Sequence, residues 1–127
     1  MASAVLDASA VLAVLFRETG ADVVAGHIDT GLVGAVNHSE VLAKAVERGA
    51  SIEDTVRQLA RFEFTIVPFD AEQAALAASL RPLTRSWGLS LGDRACLALA
   101  LKTSLPAFTA DGDWEKCSVG VNVVKIR

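Results

Sequence analysis

At 127 residues with 52% hydrophobic content, the chain is sized for one domain that buries a sizeable core. Its net charge of −3 excludes a broad electrostatic grip on nucleic acid. A polyanionic substrate would need a local basic patch, a metal ion or a partner surface.

Cys96 and Cys117 form no C-x-x-C pair, and this usage fits a reducing compartment. Cys96 reads as a small core residue. The apolar start has no basic stretch before it and is interrupted by Asp7 and Ser9, so it is a poor signal peptide. No apolar run approaches the ~20 residues of a membrane span. The expectation is a cytoplasmic protein, one domain over 1–127, with no membrane partner.

Ala4 to Leu6 reads as a buried strand ending on Asp7, with a helix at once from Ala8 to Arg17. Glu18-Thr19-Gly20 breaks it, Ala21 to Ile28 predicts a second helix, and Thr30-Gly31 a turn. Leu32 to Val36 predicts the second strand. Asn37, His38 and Ser39 are each cap candidates for a helix beginning near Ser39 and ending near Gly49. Ser51 caps a helix to about Arg61, with Glu53 and Asp54 in its first turn. Phe64 to Phe69 is the third strand. Asp70 and Gln73 make a capping-box pattern for Ala71 to Arg81, which Pro82 ends or kinks. Ser90 caps the most apolar helix, Leu91 to Lys102, which must be covered on most sides. Ala107 to Thr109 is a short strand, Asp111 to Trp114 turns out of it, and Val119 to Ile126 predicts a last, edge strand. Strands alternating with helices imply a parallel sheet covered on both faces, a doubly wound three-layer α/β domain.

On that scheme Asp7 follows the first strand, Glu40 sits in the first turn after the second, and Asp111 follows the fourth. In a parallel sheet these positions fall at one edge, where α/β folds bind ligands. Asp93, in the first turn of the apolar helix, can face the same edge. Each acid also has a local reading. Asp7 is a helix cap, Glu40 and Asp93 suit the helix dipole, Asp93 completes a capping box with Ser90, and Asp111 is a turn residue. Read together, four carboxylates in one cleft repel, and a divalent cation removes the conflict. All-oxygen ligation selects Mg²⁺ or Mn²⁺ over zinc. Metal held by acids suits phosphodiester hydrolysis.

The surroundings add little to that set. Arg94 follows Asp93 and is either a phosphate contact or a structural ion-pair partner. Arg81, Arg85 and Trp87 form a basic and aromatic patch ahead of the acidic helix, read as packing or partner surface before RNA stacking. His27 and His38 lack zinc spacing with the cysteines; His38 reads as a surface or cap residue. Ser9 has no Gly-x-Ser-x-Gly setting, which argues against a serine hydrolase.

Four pieces carry a resemblance: Val-Leu-Asp-Ala-Ser-Ala at the start, Glu40, Leu-Ser-Leu-Gly-Asp-Arg-Ala-Cys-Leu-Ala-Leu-Ala at 89–100, and Thr-Ala-Asp-Gly-Asp-Trp at 109–114. In order and spacing the chain resembles PIN-domain proteins, and among them the VapC-type ribonuclease toxins of bacterial toxin–antitoxin pairs. The resemblance implies an α/β/α sandwich with a parallel five-stranded sheet of order 3-2-1-4-5. It implies a Mg²⁺- or Mn²⁺-dependent endoribonuclease with its acids at Asp7, Glu40, Asp93 and Asp111. Ser9 and Thr109 match hydroxyl positions beside those acids, Asp113 is a further acid nearby, and Trp114 matches a structural plug. It further implies a homodimer, silenced by a VapB-like antitoxin in a hetero-oligomer, acting on transfer, ribosomal or messenger RNA. The alternatives are a PIN nuclease that is not a toxin, a phosphatase acting through an aspartyl-phosphate on Asp7, and a non-catalytic interaction module. The phosphatase would ordinarily carry a second acid where this chain has Ser9.

Overall fold

The computed structural model describes residues 1–127. Its five strands are β1 (Ala4–Leu6), β2 (Gly31–Gly34), β3 (Thr65–Val67), β4 (Ala107–Thr109) and β5 (Val123–Lys125). All pair in parallel, in the order β3-β2-β1-β4-β5. The helices are α1 (Ala8–Leu15), α2 (Ala21–Ala25), α3 (Ala35–Glu47), α4 (Ile52–Leu59), α5 (Ala71–Ser79), α6 (Arg81–Thr84) and α7 (Leu91–Thr103).

Alternation along β1 divides the core in two. Ala4 and Leu6 join Val11 of α1, Val24 of α2, Val41 of α3 and Leu59 of α4 on one face. Val5 points the other way, into Cys96, Leu97, Leu99 and Ala100 of α7 together with Leu80 and Trp114. Every residue of β1 is fully buried, as expected for the central strand of a covered parallel sheet. Ala95 to Ala100 of α7 are buried without interruption, so this helix is covered on most sides. α3 packs against both α1 and α7, which brings the two sides of the sandwich together beyond the sheet edge. No helix is long and apolar enough to cross a membrane.

Several boundaries differ from expectation for local reasons. The second strand ends at Gly34 and α3 begins at Ala35, not near Ser39. Gly34 is the N-cap, with no side-chain cap bond, so Asn37, His38 and Ser39 lie inside the helix rather than capping it. α1 and α2 stop at Leu15 and Ala25, and Arg17 takes a left-handed φ of 56°. The last strand is confined to Val123–Lys125, because Gly120 at φ 85° interrupts the extended run. Pro82 does not kink α5. It lies in the first turn of the separate α6, where its missing N–H costs nothing. Ser51, Asp70 and Ser90 cap their helices as expected, but Gln73 returns no side-chain bond to Asp70, so the expected box there is only half formed.

Trp114 is 1% exposed, whereas Trp87 is 41% exposed with Lys116 over its ring at 5.3 Å. Denaturant unfolding of Trp114→Ala should show a loss of about 3–5 kcal/mol. Trp87→Ala should lose less than about 1 kcal/mol. Equal losses would contradict the plug role of Trp114.

Candidate active site

Parallel strands deliver their carboxyl ends to one edge, and the acids follow. Asp7 leaves β1 directly, and Asp111 lies two residues beyond β4. Glu40 lies in the second turn of α3, not the first, because the helix begins earlier than its sequence suggests. Asp93 lies in the first turn of α7. All four line a single cavity of about 400 Å³, together with Ser9, Asn37 and Lys44.

Each carboxylate is held by the local structure that brings it there. Asp7 is the N-cap of α1. Its Oδ1 accepts from the Ala10 N–H at 2.9 Å and the Ser9 hydroxyl at 2.6 Å. Its Oδ2 accepts from the Thr109 hydroxyl at 2.6 Å. Ser9 Oγ in turn accepts from the Ala110 N–H, and Thr109 Oγ1 from the Asp111 N–H. The two hydroxyls thus tie the ends of β1 and β4 together through Asp7. Asp93 closes a reciprocal capping box: the Ser90 N–H donates to Asp93 Oδ2 at 2.9 Å, and the Asp93 N–H to Ser90 Oγ at 3.2 Å. Asp111 Oδ1 accepts from the Asp113 N–H at 2.9 Å, an Asx turn. Glu40 Oε1 accepts from Asn37 Nδ2 at 3.0 Å. The cap readings and the shared-cleft geometry are therefore two properties of the same side chains.

The electrostatics record how the acids crowd. Burial pushes Asp7 from 3.8 up to about 6, against the lowering effect of its three hydrogen bonds, and the Asp93 charge adds to the rise. Burial also raises Glu40, opposed by the Asn37 hydrogen bond and Lys44 and reinforced by Asp93. Burial raises Asp93, opposed by its Ser90 bonds and Arg94 and reinforced by Asp111. Asp93 is thus the charge that the other buried acids feel.

The donor set fits a hard cation. Glu40 Oε2, Asp93 Oδ1 and Asp111 Oδ2 accept no hydrogen bond from the protein, while their partner oxygens do. Each of these three acids is anchored by one oxygen with the other left over, whereas both Asp7 oxygens are taken. No three His, Cys, Asp or Glu side chains stand at the spacing of a ready-made metal cluster. The acids share a cleft rather than a tight cage. A hard cation in such a cleft would keep several waters and take one or two carboxylates directly.

The remaining residues divide. Ser9 and Thr109 hold Asp7. Asp113 contributes its backbone N–H to Asp111, while its carboxylate pairs with Lys116 at 3.3 Å. Arg94 turns away, donating from Nη1 to the Ala77 carbonyl of α5 at 3.2 Å. His38 packs edge-on against Phe64. Three further residues have a place in the site that the sequence did not assign: Asn37 reads there as a cap, Lys44 carries no motif, and Gly92 lies inside the 89–100 stretch without a role. Asn37 bonds Glu40, Lys44 lines the cavity one turn beyond Glu40, and Gly92 makes room for the Glu40 carboxyl. The spacing Asn37, Glu40, Lys44 on one helix face was the available signal.

The model of the PIN domain matches residues 4–119. The chain belongs to the PIN-domain family. Comparison with curated proteins gives no match. Among solved structures, this PIN domain is similar to a toxin–antitoxin complex from Klebsiella pneumoniae, at 19% identity, TM-score 0.76 and 98% coverage of both chains. It is similar to DNA-bound VapBC from Salmonella typhimurium, at 15% identity, TM-score 0.75 and 100% coverage of both. It is also similar to VapC20 of Mycobacterium tuberculosis, a sarcin-ricin loop cleaving toxin, at 17% identity and TM-score 0.76, covering 91% of this chain and 95% of that one. At these identities the likeness is one of fold.

Two predictions follow from the crowding of the acids. The folded chain holds the Asp7 proton more tightly than the unfolded chain does. The residue therefore stabilises the fold below pH 3.8, and this contribution is lost as pH rises through about 6. Urea unfolding without divalent ions should show Asp7→Asn gaining on the parent as pH rises, by at most about 3 kcal/mol. A gap that does not change with pH would contradict the burial of this charge. A Cβ at position 92 would lie 2.6 Å from the Glu40 carboxyl carbon, the mobile end of that side chain, so Gly92→Ala should displace the carboxyl while costing the fold less than about 1 kcal/mol, helped by alanine's helix propensity. An unmoved Glu40 carboxyl in a crystal of that variant would contradict the close approach of α3 and α7.

Proposed function

We propose that this PIN domain, one catalytic unit over 1–127, is a divalent-metal-dependent endoribonuclease acting in the cytoplasm as the toxin of a toxin–antitoxin pair. The observation that carries the reading is the meeting of Asp7, Glu40, Asp93 and Asp111 in one cavity. Family membership and the toxin–antitoxin identity of the similar structures support it.

The four carboxylates would hold Mg²⁺ or Mn²⁺, directly or through water. When bound, such an ion supplies water activation and positive charge toward a phosphate. The chain's own groups do the rest. Ser9, Thr109 and the Ala10 N–H fix both oxygens of Asp7. The capping box fixes Asp93. Lys44, exposed at the cavity wall and paired with the exposed Glu47 at 3.4 Å, offers a cation to a phosphate that must approach an acidic cleft. The N-termini of α1 and α7 add partial positive charge at the same edge. A phosphatase acting through Asp7 fits poorly, because Ser9, two residues on, donates to Asp7 rather than presenting an acid.

The similar structures that hold both partners support a VapB-like antitoxin for this chain. The toxin homodimer and its hetero-oligomer with antitoxin belong to the same proposal. Free expression should then arrest growth, and co-expression of a small protein encoded beside it should relieve the arrest.

The direct test is cleavage of total cellular RNA with Mg²⁺ or Mn²⁺, the parent beside Asp93→Asn. The parent should cut at discrete sites, and the variant should lose at least about 100-fold. Equal cutting by both, or cutting undiminished by chelator, would overturn the mechanism. Cleavage without growth arrest would retain the nuclease and remove the toxin role.

A further inference from the structure

Asn37 is 1% exposed, yet it lies inside α3, where an asparagine is a poor helix former. Its Nδ2 donates twice: to Glu40 Oε1 at 3.0 Å, one turn along its own helix, and to the Gly92 carbonyl of α7 at 3.1 Å. The two acceptors belong to helices 55 residues apart in sequence. Its Oδ1 is buried with no hydrogen-bond partner, an uncompensated desolvation. The amide cannot be turned over to relieve this, because Oδ1 would then face two acceptors.

A side chain that tolerates an orphaned oxygen while spending both amide hydrogens on the cleft is placed for what it donates. We infer that Asn37 is a positioning residue that clamps the Glu40 carboxylate to the N-terminal turn of α7, setting Glu40 against Asp93. The inference rests on the nuclease reading and deepens it. One bond fixes the rotamer of Glu40, leaving Oε2 over, and the other fixes the spacing of α3 to α7. Gly92 serves the same contact from the other side, since any side chain there would displace the Glu40 carboxyl. Removing the amide frees the carboxylate to rotate, and Asp93 repels it.

The test compares Asn37→Ala and Asn37→Asp with the parent. Asn37→Asp keeps size and shape but replaces the donor by an acceptor. Mn²⁺ alone is titrated by electron paramagnetic resonance, and RNA cleavage is resolved into kcat and KM. Both variants should melt cooperatively. Both should bind Mn²⁺ roughly 10- to 100-fold more weakly, and lose kcat by a similar factor at unchanged KM. Asn37→Asp should be no better than Asn37→Ala. Parent-like Mn²⁺ affinity and kcat in either folded variant would overturn the clamp. So would full function in Asn37→Asp alone, which would reduce Asn37 to a space-filler. If Asn37→Ala does not fold, Asn37→Asp decides the matter alone. Failure of the nuclease reading looks different: Glu40→Gln would then cut RNA as the parent does, whatever Asn37 does. A parent that binds no Mn²⁺ overturns both.

Discussion

The bond from the Thr109 hydroxyl to Asp7 Oδ2 spans 102 residues and joins the carboxyl ends of β1 and β4. The half of the site that carries Asp7 and Asp111 depends on it. The Thr109 oxygen also receives the Asp111 N–H, and Ser9, on the other Asp7 oxygen, receives the Ala110 N–H. The loop that carries Asp111 is therefore hung from the same carboxylate that caps α1. A buried acid that would otherwise be costly becomes the knot between two strands. Its cost remains visible in a pKa near 6.

The second constraint is that α7 is buried without interruption from Ala95 to Ala100. A helix covered on most sides cannot choose its orientation freely. It packs against β1, β2 and α3, and its capped N-terminus faces the cleft. Asp93 is consequently both the structural end of the helix and the acid whose charge reaches Asp7 and Glu40. α3 approaches from the other face of the sheet, and Gly92 permits the contact. The site thus lies where α3, from one core cluster, packs against α7, from the other.

Much of this was legible in the sequence, for identifiable reasons. Alternation of apolar strands and helices encodes a parallel sheet, and the caps Ser51, Asp70 and Ser90 mark helix starts through local hydrogen bonds. Asp7 and Asp111 sit where strands end, so the shared edge could be read from topology. The start of α3 was not legible, because Gly34 caps without a side-chain bond and Asn37 mimics a cap residue. The role of Asn37 depends on Gly92, a contact between distant segments that no local pattern encodes. Arg94, adjacent to Asp93 in sequence, points to α5 instead, since neighbours on a helix face different ways. Distances between acids likewise follow from packing alone.

Whether Asp7, Glu40, Asp93 and Asp111 share one cation can be read from a crystal soaked in Mn²⁺ and measured at the manganese absorption edge. An anomalous peak is expected in the cavity between these four side chains, absent from crystals of Asp93→Asn. A peak elsewhere on the molecule, or an empty cavity at saturating Mn²⁺, would contradict the shared cation.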